Sequence, residues 1–174
     1  MSFMLSVFSE KDSMISIEDF SKKSSEIFND LLNLKDFFDL ELSFKINFID
    51  NESLVVLKPI YSFAMIYSKS LNVYFHFSYE QLQYWEYYSS VPLFDFTVSE
   101  IPKNKDRVEL ILSLIFVLTF AELSCTKYIR DDSGIWSNKV DEGVSIYEIF
   151  NLKNKFQLPL REALRQFASN ANFP

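Results

Sequence analysis

His76 and Cys125 are the only histidine and the only cysteine among the 174 residues of this chain. A thiolate activated by an imidazole would have to be built from that pair, and a serine nucleophile would have to use the same histidine. Neither residue has the setting such chemistry needs. Cys125 closes the most apolar segment of the sequence, where a free cysteine is expected to be buried and inert. His76 alternates with Asn72, Tyr74 and Ser78 against Leu71, Val73, Phe75 and Phe77, which reads as the polar side of a strand. No glycine-flanked nucleophile elbow accompanies any serine. The two glycines, Gly134 and Gly143, are too few for a phosphate-cradling loop or a dinucleotide fingerprint. A structural zinc site, which takes about four Cys or His ligands, is excluded by the same count.

Paired carboxylates are the remaining source of chemistry. Glu80 and Glu86 are six positions apart and do not stack on one helical face. Asp131-Asp132 and Asp141-Glu142 lack the alternating ligands of a calcium loop. Asp131-Asp132-Ser133-Gly134 fits a turn, with Gly134 supplying the positive φ. The expectation is a chain with no catalytic residues, no metal site and no cofactor.

The most unusual stretch is Tyr79 to Phe96, "YEQLQYWEYYSSVPLFDF", with seven aromatic residues and three acids. It lies inside a span from Ser70 to Pro102 that contains no Lys or Arg. Read as a helix over Tyr79–Tyr88, it places Leu82 and Trp85 toward a core and Glu80, Tyr84, Tyr87 and Tyr88 on the other face. In the following strand Phe94, Phe96 and Val98 alternate against Asp95 and Thr97, so Asp95 and the next acid, Glu100, extend an acidic rim. Tyrosine rings beside carboxylates suit Arg and Lys side chains through stacking and charged hydrogen bonds. Glu80, Tyr84, Tyr87, Tyr88, Asp95 and Glu100 are therefore the candidate partner-binding residues, and a basic protein is the expected partner.

The elements that must hold this surface are legible from periodicity. Ser16 begins a capping-box pattern with Asp19 in the acidic position, ahead of an amphipathic helix from about Ile17 to Phe37. "LELSFKINFI" alternates as a half-buried strand, and "SLVVLK", "YSFAMIY" and "LNVYFHF" read as further strands joined by short connections. "LILSLIFVLTFA", Leu110 to Ala121, is apolar on every side and bounded by Glu109 and Glu122. Twelve helical residues span about 18 Å, short of the roughly 30 Å of a bilayer core, so a helix buried within the fold is expected rather than a membrane span. A hairpin over "TKYIRDDSGIWS", a short helix behind a Ser145–Glu148 capping box and a last helix opened by Pro159 complete the chain. Residues 1–174 read as one α+β domain: an antiparallel β-meander packed with helices around a central apolar helix.

Composition narrows the class of partner. Hydrophobic residues make up 48% and aromatics 17%, ample for a packed core. The net charge of −7 is concentrated in residues 1–100, which carry 15 acids against 7 bases. Phosphate backbones are repelled by such a balance, so nucleic acid is not an expected partner, whereas a basic protein is attracted and steered. "MSFMLSVFSEKD" lacks a basic residue before its apolar run, and with a single cysteine the expected compartment is the reducing cytoplasm. Nothing in the sequence sets the oligomeric state.

As a whole-chain profile, the sequence resembles the bacterial immunity proteins of contact-dependent growth inhibition and related polymorphic toxin systems. Those proteins are small, acidic and cytoplasmic, with an aromatic-acidic face and no catalytic set. The local expression of the likeness is the apolar helix feeding the hairpin with "DDSGIW". The resemblance implies a protein that binds a cognate toxin domain, often a basic nuclease, and occludes its active site or an adjacent surface. Carboxylates would then stand in for substrate phosphates. Two other readings follow from the same residues: a regulatory or adaptor domain for another basic protein, and a small carboxylate-dependent enzyme, which would require acids converging in a pocket with shifted pKa values.

Overall fold

Residues Leu110–Ala121 present no polar face, so they must be enclosed on all sides, and every residue from Leu110 to Ala121 is buried. The computed structural model describes residues 4–46, 49–50, 56–82, 94–99, 107–131, 134, 136 and 143–170. Their elements are β1 (Met4–Ser9), β2 (Ile15–Ser16), α1 (Ile17–Leu32), β3 (Leu42–Ile46), β4 (Ile49–Asp50), β5 (Val56–Leu57), β6 (Ile60–Ser68) and β7 (Val73–Gln81), followed by β8 (Phe94–Ser99), α2 (Arg107–Leu123), β9 (Tyr128–Asp131), β10 (Val144–Ser145), α3 (Ile146–Phe150) and α4 (Leu160–Ser169). The α+β architecture, the antiparallel sheet and the central apolar helix are as the sequence predicts.

One large sheet has the order β10-β9-β1-β8-β7-β6-β3-β4, and β2 pairs with β5 separately. Strands β6, β7 and β8 form the expected meander, with β3 on its outer edge. The sequence reading did not include β1. It lies between β8 and β9, with Leu5 opposite Val98 and Val7 opposite Phe96. The described part of "SLVVLK", Val56–Leu57, belongs to the small sheet, Val56 opposite Ser16.

Side-chain alternation assigns the two faces of the large sheet. Leu5, Val7, Phe44, Ala64, Ile66, Phe75, Phe77, Tyr79, Phe96 and Val98 are buried on the inner face. Helix α2 lies against it through aromatic rings: Phe116 meets Phe75 edge-on at 5.4 Å, and Phe120 stacks on Phe96 at 4.3 Å. Helix α1 completes the layer, with Phe20 touching Phe44, Phe96 and Phe116. Helix α4 packs on α1 and α2 through Ala163, Leu164, Phe167 and Ala168. The two buried hydroxyls of α2 are satisfied: Ser113 donates to the Leu110 carbonyl, and Thr119 donates to that of Ile115 and meets Ser24 of α1 at 3.1 Å.

Local signals at the element ends act as predicted, with some changes. Ser16 caps α1 by accepting the Asp19 N–H, one half of a capping box. Ser145 and Glu148 form the complete box on α3. Pro159 stands at the cap of α4 rather than inside it. Gly134 has φ 65 and its N–H bonds the Asp131 carbonyl, closing the turn. Among the described residues β9 pairs with β1 and with β10, and residues 135 and 137–138, the expected second arm of the hairpin, lie outside them. Asp131 is buried, and its carboxylate accepts the Trp136 backbone N–H at 2.7 Å, while the Trp136 ring is buried beside Phe167. Asp131 thus helps to seat Trp136.

Both long helices end in a left-handed residue. Asn33 (φ 48) closes α1 and Cys125 (φ 58) follows α2, each with the paired backbone bonds of a Schellman motif: Leu34 to Asn29 and Asn33 to Asp30, Thr126 to Ala121 and Cys125 to Glu122. Cys125 is exposed, not buried as expected. The chain must turn sharply between α2 and β9, and the left-handed residue that makes this turn projects into solvent.

Two stability outcomes are expected. Phe116→Ala removes the ring that joins Phe20 and Phe75 and should cost about 3–5 kcal/mol by denaturant unfolding. Cys125→Gly relieves a left-handed side-chain residue and should stabilise by up to about 1 kcal/mol in the same assay.

Candidate functional site

Alternation that buries Phe75, Phe77 and Tyr79 inward sends Tyr74, His76, Ser78 and Glu80 outward. The same rule in β8 sends Asp95, Thr97 and Ser99 outward, and in β1 Met4, Ser6 and Phe8. Helices α1, α2 and α4 belong to the inner layer, yet on the outer face Ser6 and Thr97 are buried and Phe8, His76, Glu80 and Asp95 are half-buried.

Strand register arranges the outer residues in rows. Glu80 lies directly opposite Asp95, and Asp95 directly opposite Phe8. Directly opposed side chains have Cβ atoms about 4.5–5.5 Å apart, so the two acids share one row with an aromatic ring at its end. The next row holds Ser78, Thr97, Ser6 and Arg130. Here Thr97 donates to Asp95 Oδ1 at 3.0 Å and meets the Ser6 hydroxyl at 2.8 Å. That chain crosses two strands and fixes the Asp95 carboxylate. A third row holds Met4, Ser99, His76 and Met65, ending at Lys45. In the fourth, Tyr74 opposes Tyr67, whose hydroxyl donates to Asn72 Oδ1 at 2.9 Å. Arg130 sets its guanidinium carbon 5.9 Å from the centre of the Phe8 ring.

The predicted site residues fare as follows. Glu80 and Asp95 both lie on the outer face, and the structure makes them neighbours. The helix expected from Tyr79 does not start there: Tyr79–Gln81 are the last residues of β7, paired with β8 through Tyr79–Phe96 and Glu80–Asp95. Alternation through Phe75, Phe77 and Tyr79 continues the strand, and long-range pairing outweighs the helical spacing. Tyr84, Tyr87, Tyr88 and Glu100 lie outside the described residues. Phe8 was missed by the sequence reading, although Leu5 and Val7 already alternate with Ser6 and Phe8. His76, on the outer face of β7, and Cys125, beyond the helix on the inner face, belong to opposite sides of the sheet. Among the described residues, no group of three or more His, Cys, Asp or Glu side chains is placed to hold a metal ion. No helix among them is long and apolar enough to cross a membrane. The basic residues Arg161 and Arg165 are exposed on α4, in the helical layer, and Lys153 pairs with Asp30 at 2.8 Å.

Beneath the acid row, Tyr79 anchors the sheet to the connection after β1. Its buried ring sits 5.0 Å from Phe120. Its hydroxyl accepts the Ser13 N–H at 3.0 Å and lies 3.3 Å from Asp12 Oδ1. Burial pushes the phenol up from 10.0 to about 12; the Ser13 N–H opposes this, and the Asp12 charge and hydrogen bond add to it by less. The folded state therefore holds this proton more tightly than the unfolded chain does. That contribution to stability is complete below pH about 10 and is lost as pH rises toward about 12. Alkaline unfolding curves should show this loss, and Tyr79→Phe should flatten it. Phenolate absorbance should show one tyrosine ionising only near unfolding.

Comparison with protein-family models, curated proteins and solved structures finds no match to this chain.

Proposed function

We propose that this chain is a non-catalytic binding protein whose outer sheet face docks a basic protein, and that it serves as an immunity protein that neutralises a cognate toxin by covering its active site or an adjacent surface. The observation that carries this reading is the Glu80–Asp95 pair in direct register on the sheet face opposite α1 and α2. Two carboxylates set side by side attract a cationic group of a partner. The Thr97 and Ser6 hydroxyls hold Asp95 in place before any partner arrives, which lowers the ordering cost of binding. The strands that bear the pair lie within the span free of Lys and Arg, and the connection between them carries Tyr84, Tyr87 and Tyr88. Aromatic residues of that kind supply anchors around a charged centre. The basic residues of α4 lie in the helical layer, so they do not oppose a cationic partner at the sheet face.

Co-expression with a toxin domain, sought among the products of the genes beside its own, tests the reading. The wild-type chain should protect growth, and the Glu80→Lys/Asp95→Lys variant should not. Binding kinetics at about 50 and about 300 mM salt should show association slowed by roughly tenfold or more at the lower salt, with a flattened salt dependence. Tyr84→Ala and Tyr87→Ala should act mainly by speeding dissociation. Rate constants within about twofold of wild type for all these folded variants, a difference near 0.4 kcal/mol, would place the interface elsewhere.

A further inference from the structure

We propose that the slot between β8 and β9 accepts β1 from a second copy of this chain as well as from its own, so that two copies exchange β1 and form a dimer. Strand β1 is held by main-chain pairing on both sides: all six of its residues oppose β8, and Leu5 and Ser6 also oppose β9. Leu5, Ser6, Val7 and Ser9 are buried there. These contacts join β1 to segments distant in sequence; Ser6 and Thr97, whose hydroxyls meet at 2.8 Å, are 91 residues apart. The identical strand of another copy therefore makes the same set. A slip of one residue would turn Leu5 and Val7 outward, so the slot admits the strand in one register. Exchange is specific for this reason and differs from indiscriminate strand association. In the dimer the Ser6 hydroxyl beside Thr97 belongs to the other copy, and the outer face is assembled from two chains.

Exchange needs a connection that can straighten. Residues 10–14 link β1 to β2, and Glu10, Lys11, Asp12 and Met14 are exposed, so straightening gives up little burial. Five extended residues reach about 17 Å, more than three strand spacings. Two sets of hydrogen bonds fold this connection back on its own chain. The Ser9 hydroxyl accepts the Lys11 N–H at 3.2 Å and donates to the Lys11 carbonyl at 2.9 Å. The Tyr79 hydroxyl accepts the Ser13 N–H at 3.0 Å and lies 3.2 Å from the Ser13 carbonyl oxygen. Tyr79 belongs to β7, which β8 separates from β1, so its hydroxyl ties the connection across the chain's own sheet. Residues 10–14 are thus the hinge of the exchange, and the Tyr79 hydroxyl is its latch.

Refolding the intact chain from denaturant tests the inference, with reductant present so that the exposed Cys125 stays unlinked. Closure by a chain's own strand is independent of chain concentration, whereas exchange is not. A short tether acts as an effective concentration on the order of 1 mM. Size-exclusion chromatography should therefore show monomer after refolding at about 10 µM and a substantial dimer after refolding at about 1 mM. Dimer refolded from equal parts of isotope-labelled and unlabelled chain should give isotope-filtered contacts between Leu5 of one copy and Val98 of the other, residues that face each other in register. Tyr79→Phe keeps the ring and releases the latch. It should raise the dimerisation constant by about tenfold or more, since each of two chains loses a hydrogen bond on closing alone. Ser13→Pro removes the N–H that the latch accepts without touching the core, and should act in the same direction. Monomer at every refolding concentration, or a dimer whose Leu5–Val98 contacts all lie within one copy, would overturn the exchange. A dimerisation constant unchanged in both variants would overturn the latch.

Discussion

A helix with no polar side dictates the layout of this molecule. Residues Leu110–Ala121 are buried at every position, so α2 needs apolar neighbours around its whole circumference. The sheet supplies one side with Phe75, Tyr79 and Phe96, and α1 and α4 supply the others. All of this covering is recruited to one face of the sheet. The opposite face has no comparable demand on it, and its residues follow a different composition: serine, threonine, tyrosine, methionine, histidine and charged groups. The candidate site is in this sense a by-product of how the core is enclosed. Residues turned away from α2 do not pack on it, although Ser6 and Thr97 among them are buried.

Much of this organisation was legible in the sequence because it rests on local periodicity. Strands β3, β6, β7 and β8 announce themselves by alternation, α1 by three- and four-residue spacing, α2 by its unbroken apolar run, and the 131–134 turn by its glycine. What was not legible depends on pairing between distant segments. Strand β1 offers only Leu5 and Val7 as an inward pair, a weak signal alone, and its place between β8 and β9 is written nowhere in its own residues. The end of β7 was misread for a related reason. Tyr79–Gln81 carry side chains that also fit a helical spacing, and only the partners on β8 decide between the two.

The site divides along the same line. Glu80 and Asp95 were singled out as separate outward acids, one on an expected helix and one on a strand. Their adjacency needed the register, which placed Phe8 in the same row. Asp131 and Cys125 show the reverse. Both looked like possible chemistry in the sequence, and both are explained by backbone demands: one holds the Trp136 N–H, the other turns the chain in a left-handed conformation after α2.

The position of β1 also bears on how the chain reaches this fold. Ser6 and Thr97, joined across β1 and β8, are 91 residues apart in sequence. On a ribosome β1 is made long before the strand it pairs with, and β9 can add to the sheet only once β1 is in place. Closing so long a loop is entropically slow, and contacts of high sequence separation delay folding as a class. The strand that joins the two halves of the sheet is thus synthesised first and seated late. In the interval its apolar residues, Leu5 and Val7, have no native cover. The small polar residues around them, Ser6 and Ser9, keep that waiting segment from being a continuous apolar run of the kind that pairs with other chains.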